Sequence, residues 1–160
     1  MRSLAEVMNI KLVEQLREEK GSVYGVSAQG SFSRIPYASS TFVISFPCAP
    51  ENVDTLSKAA IDEIRKIIRS GVSEEDLEKV KEQQRRKLEV DLKQNQFWMN
   101  NLYESYYFGT NPADILDKQK MIEGLNSKMI QEVAAKYINL NNYIRATLKP
   151  ETNQKPLKGF

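Results

Sequence analysis

The chain has 160 residues, 28% charged and 41% hydrophobic, a composition that fits one globular domain with a real core and is too short for two. Its 23 basic and 21 acidic residues are interleaved and leave a net charge of +2, so no concentrated field toward nucleic acid or a membrane surface arises. No apolar run approaches the length needed to span a bilayer.

Two residue counts narrow the chemistry further: there is no histidine, and Cys48 is the only cysteine. Ser–His and Cys–His nucleophile systems are therefore excluded, and a tight zinc site made by this chain alone is close to excluded. Cys48 lies between Phe46-Pro47 and Ala49-Pro50 with no imidazole to activate it, so a buried or inert thiol is expected. The lack of disulfides fits a reducing compartment and is also compatible with export, which leaves the bacterial periplasm and the cytoplasm both open. Glu6 and Asn9 interrupt the N-terminal apolar pattern, so the segment lacks the apolar core of a signal peptide.

In chain order, Leu4, Val7, Met8, Leu12 and Leu16 fall at helical spacing, predicting a helix over residues 4–19 with Ser3 as its N-cap. Lys20 and Gly21 read as its stop, because glycine tolerates the left-handed conformation of a helix end and cations complement its carbonyls. Tyr24, Val26, Ala28 and Phe32 then occupy alternate positions, predicting a strand over 22–33. A turn-prone Arg34-Ile35-Pro36-Tyr37 leads to a second strand over 41–46, with Phe42, Ile44 and Phe46 on one face. The two strands should pair as an antiparallel hairpin that Pro47 and Pro50 terminate.

Val53, Leu56, Ala60, Ile64, Ile67 and Ile68 predict a helix over 51–69, closed by Ser70-Gly71. Ser73 should cap the next helix by accepting from the Asp76 amide, and the run 78–93 is so rich in charge that a solvated face is expected. That helix could continue to Phe108. The cluster Phe97-Trp98-Met99, Leu102-Tyr103 and Tyr106-Tyr107-Phe108 reads either as a groove for apolar peptide side chains or, as favoured here, as core filling against the sheet. Gly109 ends the helix, residues 114–124 and 126–138 predict two more with Asn126 capping the second, and 143–148 predicts a closing strand. Residues 151–160 lack periodicity and read as a tail or linker after a domain of residues 1–150.

Strands grouped apart from helices indicate an α+β domain of two layers, helices covering one face of a mainly antiparallel sheet. Arg17 sits in the last turn of the first helix and Tyr24 on the first strand, seven residues on, so both could overlook one mouth. On local pattern alone the alternative stands beside this: an arginine at a helix end is commonly solvated, and a strand tyrosine commonly packs its ring.

The segment Arg17-Glu18-Glu19-Lys20-Gly21-Ser22-Val23-Tyr24-Gly25-Val26 resembles the arginine-bearing helix end and tyrosine-bearing strand of the C-terminal, non-zinc half of insulinase/pitrilysin-type (inverzincin) zinc metallopeptidases. Gly71-Val72-Ser73-Glu74-Glu75-Asp76-Leu77 resembles the same family's junction before a long helix, and the likeness runs from about Leu4 to Leu148. The resemblance implies two similar halves around a chamber, with zinc on the N-terminal half. Its HxxEH motif is absent here, so this chain alone is not an enzyme.

By the same resemblance, Tyr24 would donate its hydroxyl to the scissile carbonyl as it becomes an oxyanion, and Arg17 would hold a neighbouring peptide carbonyl. The implied partners are the zinc-bearing half, as a covalent neighbour or separate subunit, and a peptide substrate. The family repeat begins with a further strand and helix segment ahead of the part matched, so the sheet is expected to be incomplete, and an exposed edge would favour a homodimer. Relatives that have lost catalysis in both halves supply the alternative: a structural or peptide-binding subunit.

Overall fold

The computed structural model describes residues 1–18 and 25–149. Helix α1 (Arg2–Leu12) runs directly into a π-helical segment, Val13–Glu18. Strands β1 (Ser27–Ser33) and β2 (Ser39–Ser45) form an antiparallel hairpin with Ala28 opposite Ile44 and Gly30 opposite Phe42. A short 3₁₀ turn, Pro50–Asn52, leads into α2 (Val53–Ser70), then α3 (Glu74–Asp91) and α4 (Asn95–Phe108). A 3₁₀ segment, Pro112–Asp117, α5 (Lys118–Glu123) and α6 (Ser127–Tyr137) follow.

The fold is α+β, with helices packed on one face of the antiparallel hairpin. Alternation decides which face. Ala28, Gly30, Phe42 and Ile44 turn toward the helices, whereas Ser27, Gln29, Ser31, Thr41 and Ser45 line the opposite, polar side. Leu4, Val7, Met8 and Leu12 of α1 meet Leu56, Ala60, Ile64 and Ile67 of α2, Leu77 and Val80 of α3, and Ile130 and Ala134 of α6 in one core. At Gly30 a methyl group would come 3.1 Å from the Phe42 ring and 3.3 Å from Met1, so the residue is small because the layers approach closely there.

The junction after α2 is held from a distance. Gly71 takes φ +71°, and a side chain there would strike the Ser127 hydroxyl. That hydroxyl accepts from the Val72 amide at 2.8 Å and donates to the Val72 carbonyl at 2.7 Å, while Gln131 donates to the Ile68 and Arg69 carbonyls that α2 leaves without helical partners. Thus α6 closes the end of α2. Ser73 caps α3 as expected, accepting from the Asp76 amide at 3.2 Å, and Asn126 caps α6 by accepting from Met129.

Several expectations change. Met1, not Ser3, precedes α1, and the Ser3 hydroxyl instead accepts from Gln84 of α3, a contact 81 residues distant. The long helix breaks at Leu92–Gln94 into α3 and α4. Most of the aromatic cluster does not fill the core: Tyr103, Tyr106, Tyr107 and Met99 are exposed, Tyr106 to 77%, and Ser105 is the buried residue of α4. The reason is that the apolar residues of α4 are spread around the helix, so no single face can be covered by a neighbour. Residues 143–149 carry no strand assignment, because no backbone partner lies beside them among the described residues.

Candidate functional site

The two residues singled out by sequence both follow α1 along the chain. Arg17 falls within the π-helical segment, but its side chain, and the whole of Tyr24, lie outside the described residues. What the structure does describe is how both flanks are fixed.

On the β1 side, the Asn9 side chain reaches from α1 to the strand. Its amide nitrogen donates to the Ala28 carbonyl at 3.0 Å and its oxygen accepts from the Ala28 amide at 2.6 Å. One side chain thereby satisfies both backbone groups of a buried strand residue, as a neighbouring strand would. The clamp lies four residues after Tyr24.

On the helix side, Lys11 spans from α1 to the carboxylate of Asp76 at 2.6 Å, and to Glu14 in the π-helical segment at 3.3 Å. Asp76 is buried, accepts from the Ser73 hydroxyl, and has Lys79 4.0 Å away. Burial works to raise the Asp76 pKa, yet the bonds from Lys11 and Ser73 outweigh it and hold the carboxyl below its ordinary value. Burial likewise works to lower Lys11, and Asp76 outweighs it and raises the ammonium. This pair ties the start of α3 to the helix end carrying Arg17.

These bracing residues were visible in the sequence only in part. The sequence marks Ser73 as a cap with the Asp76 amide as its donor, but that the Asp76 carboxylate also reaches back to Lys11 depends on two elements meeting in space. Asn9 looked like a polar interruption of an apolar helix, and nothing local announces that its partner is Ala28.

Among the described residues no group of His, Cys, Asp or Glu gathers in a way that could hold a metal, and Cys48 is half-buried and free. A zinc ligand set does not fit these described residues. Two cavities open on the described surface. The larger, about 560 Å³, lies between β2, α2 and residues 138–148; its one ionisable side chain with a described ion pair, Arg145, is bonded to Asp54 at 2.7 Å. The smaller, about 390 Å³, lies between β1 and α4, where the Arg34 guanidinium sits 4.9 Å from the centre of the Phe108 ring.

These features define a helix-backed α+β domain with a braced helix end and, among its described residues, no assembled metal-ligating centre. Residues 2–84, slightly more than half of the chain, match the family model described as the peptidase M16 inactive domain, and the chain belongs to that family.

Among curated proteins it is 23% identical over 160 residues to the zinc protease PQQL-like of Arabidopsis thaliana, covering 97% of this chain and 15% of that protein. It is 23% identical over 149 residues to the probable zinc protease PqqL of Escherichia coli, covering 89% of this chain and 16% of the relative. The chain thus spans about one-sixth of the relatives' length. In fold it is similar to the solved periplasmic protease PqqL of E. coli, with a TM-score of 0.66, 22% identity, and coverage of 86% of this chain and 16% of that one. It is also similar to a peptidase M16 inactive domain from Pseudomonas fluorescens, with a TM-score of 0.69, 16% identity, and coverage of 86% and 34%.

Proposed function

We propose that this chain serves as the zinc-free half of a two-part zinc protease, binding peptide substrate and stabilising the tetrahedral intermediate while a separate half carries the metal. Family membership supports the non-zinc role, and the zinc protease names of the relatives support the parent activity. When bound in the other half, zinc would polarise the scissile carbonyl and activate water. The contribution of this chain is positional and electrostatic.

Arg17 and Tyr24 are the residues assigned to it. A phenol hydroxyl donates to the carbonyl oxygen as negative charge develops there, and a planar guanidinium fixes the direction of a second peptide oxygen. The observation that carries the reading is the pair of braces on either flank: Asn9 on Ala28, and Lys11 on Asp76. Groups that stabilise a transition state must be held before the reaction begins, and the two braces fix the described residues on either side of that stretch. The domain is taken as residues 1–150 with 151–160 as a tail, and the periplasm as its setting, after the E. coli relative.

The test is peptide hydrolysis by the complete protein. Tyr24→Phe should lower kcat about 10²-fold or more, the scale of losing one oxyanion donor, and Arg17→Ala should lower kcat/KM with a rise in KM. Near-normal turnover in both variants would remove the assignment. A second reading, a non-catalytic structural or peptide-binding subunit, draws on the exposed aromatic side of α4. It would be favoured if neither the native polypeptide nor its partner carries a histidine-containing zinc motif.

A further inference from the structure

The smaller cleft, about 390 Å³, is walled on one side by the last residues of β1 and the turn after it, and on the other by the continuous run of α4, the 3₁₀ segment and α5. Its lining divides by chemistry into three sets. Phe32, Phe108, Ile115 and Met121 supply apolar surface. Arg34 and Lys118 supply positive charge, and each is placed by an aromatic ring: the guanidinium lies 4.9 Å from the centre of Phe108 and the ammonium 5.8 Å from that of Phe97. Neither has a carboxylate partner among the described residues, although just outside the cleft Lys120 is bonded to Asp117 and Arg85 to Glu123, both at 2.7 Å. A guanidinium held by its face keeps the edge of its N–H fork available to an oxygen pair.

The third set accepts hydrogen bonds. Glu104 and Asp114 line the cleft without a described cation partner, and Asn101 spends its amide nitrogen on the Phe97 carbonyl at 2.7 Å, which leaves its side-chain oxygen for another donor. A cavity of a few hundred cubic ångströms with apolar walls and a few placed polar groups suits a small ligand or one residue of a larger one. The combination of sets narrows which. A hydrocarbon chain would leave four charged side chains facing it, and a phosphate dianion would be opposed by Glu104 and Asp114. The end of a peptide carries one counterpart for each set: a carboxylate, a backbone N–H and a side chain.

We propose that this cleft binds the C-terminal residue of a peptide. Arg34 and Lys118 receive the carboxylate, the acceptor set takes the backbone N–H, and an apolar side chain lies against Phe32 and Phe108. The inference rests on the peptide-binding part of the proposed function and not on the roles of Arg17 and Tyr24. The cleft lies at the Ser33 end of β1, about 20 Å along the strand from Ser27, whereas Tyr24 precedes Ser27 in the chain. It is therefore an anchor for substrate and not the place where a bond is cut.

The experiment is calorimetric titration of the complete native polypeptide with three probes: N-acetyl-phenylalanine, its C-terminal amide, and free phenylalanine. The N-acetylated acid should bind about 10-fold or more tightly than its amide, the scale of one charge-assisted hydrogen bond. Arg34→Gln and Lys118→Gln should each abolish that preference with Tm unchanged. Tyr24→Phe should leave it intact, so a failed catalytic assignment and a failed anchor give different results. Equal binding of acid and amide, no binding of either, or a preference that survives in both the Arg34 and Lys118 variants overturns the proposal. Tighter binding of free phenylalanine than of the N-acetylated acid overturns it in favour of a free amino acid whose ammonium meets Glu104 and Asp114.

Discussion

The core built by α1, α2, α3 and α6 and the stretch from α4 through α5 solve the problem of apolar surface in opposite ways. In the first, Val7, Met8, Leu12 and Val80 are completely buried, and polar side chains such as Asn9 and Asp76 are used to lock elements together. In the second, Tyr103, Tyr106, Tyr107, Leu116 and Met121 remain exposed, and α4 meets mainly the 3₁₀ segment that follows it. Scattered exposed apolar side chains are ordinary, but a run of large ones over successive elements marks a surface made for contact. The difference teaches where this domain is self-sufficient and where it expects a neighbour.

The largest expected effect tests the closed region. Leu12→Ala removes a fully buried side chain at the point where α1 passes into the π-helical segment, and should cost about 2–5 kcal/mol in urea unfolding. A cost below about 1 kcal/mol would mean that this region is no better packed than the exposed one. Next comes the ion pair: Lys11→Met leaves the Asp76 carboxylate without its principal cation and should cost about 3 kcal/mol. Because the Asp76 pKa is depressed in the folded state, its contribution is present above its ordinary value and is lost as pH falls through that value toward the lower folded one. Asp76→Asn should therefore flatten the acid side of the stability profile, and an unchanged acid limb would show the pair to be idle. Lys11, raised when folded, contributes below its ordinary value and loses that contribution as the solution becomes more alkaline.

A smaller loss, about 1–2 kcal/mol, is expected for Asn9→Ala, which strips both partners from the Ala28 backbone. Exchange at the Ala28 amide should accelerate more than exchange in α2. Uniform acceleration across both would make Asn9 a general contributor to stability and not a clamp on β1.

A different boundary, distance along the chain, separates what is legible in sequence from what is not. Features fixed within a few residues were readable: the Ser73 and Asn126 caps, the Gly71 and Gly109 helix ends, and the inward alternation of Ala28, Phe42 and Ile44. Spacing sufficed because each obeys a local rule of hydrogen bonding or side-chain direction. Illegible were the partners 19 and 65 residues away, Ala28 for Asn9 and Asp76 for Lys11, and the exposure of the α4 aromatics. Apolar composition states that a surface should be covered, not by which chain. Residues 143–148 show this most simply: their strand propensity is real, but a strand exists only beside another.

The smallest effect is the most discriminating for the open region. Tyr106 on α4 is 77% exposed, while Tyr103 and Tyr107 of the same helix stack on each other with ring centres 5.7 Å apart. Tyr106→Ser in the 160-residue chain should thus change unfolding free energy by no more than about 0.5 kcal/mol, the range of surface substitutions away from packed features. In the complete protein the result should separate from this one if α4 is covered: burying the ring would raise the loss toward the 1.5–3 kcal/mol or so that a buried large side chain contributes. Equal, small losses in both settings would mean that the aromatic side of α4 stays in water throughout, and that the contrast between the two regions reflects tolerance and not an interface. A large loss already in the short chain would place Tyr106 in a packed environment and remove the contrast altogether.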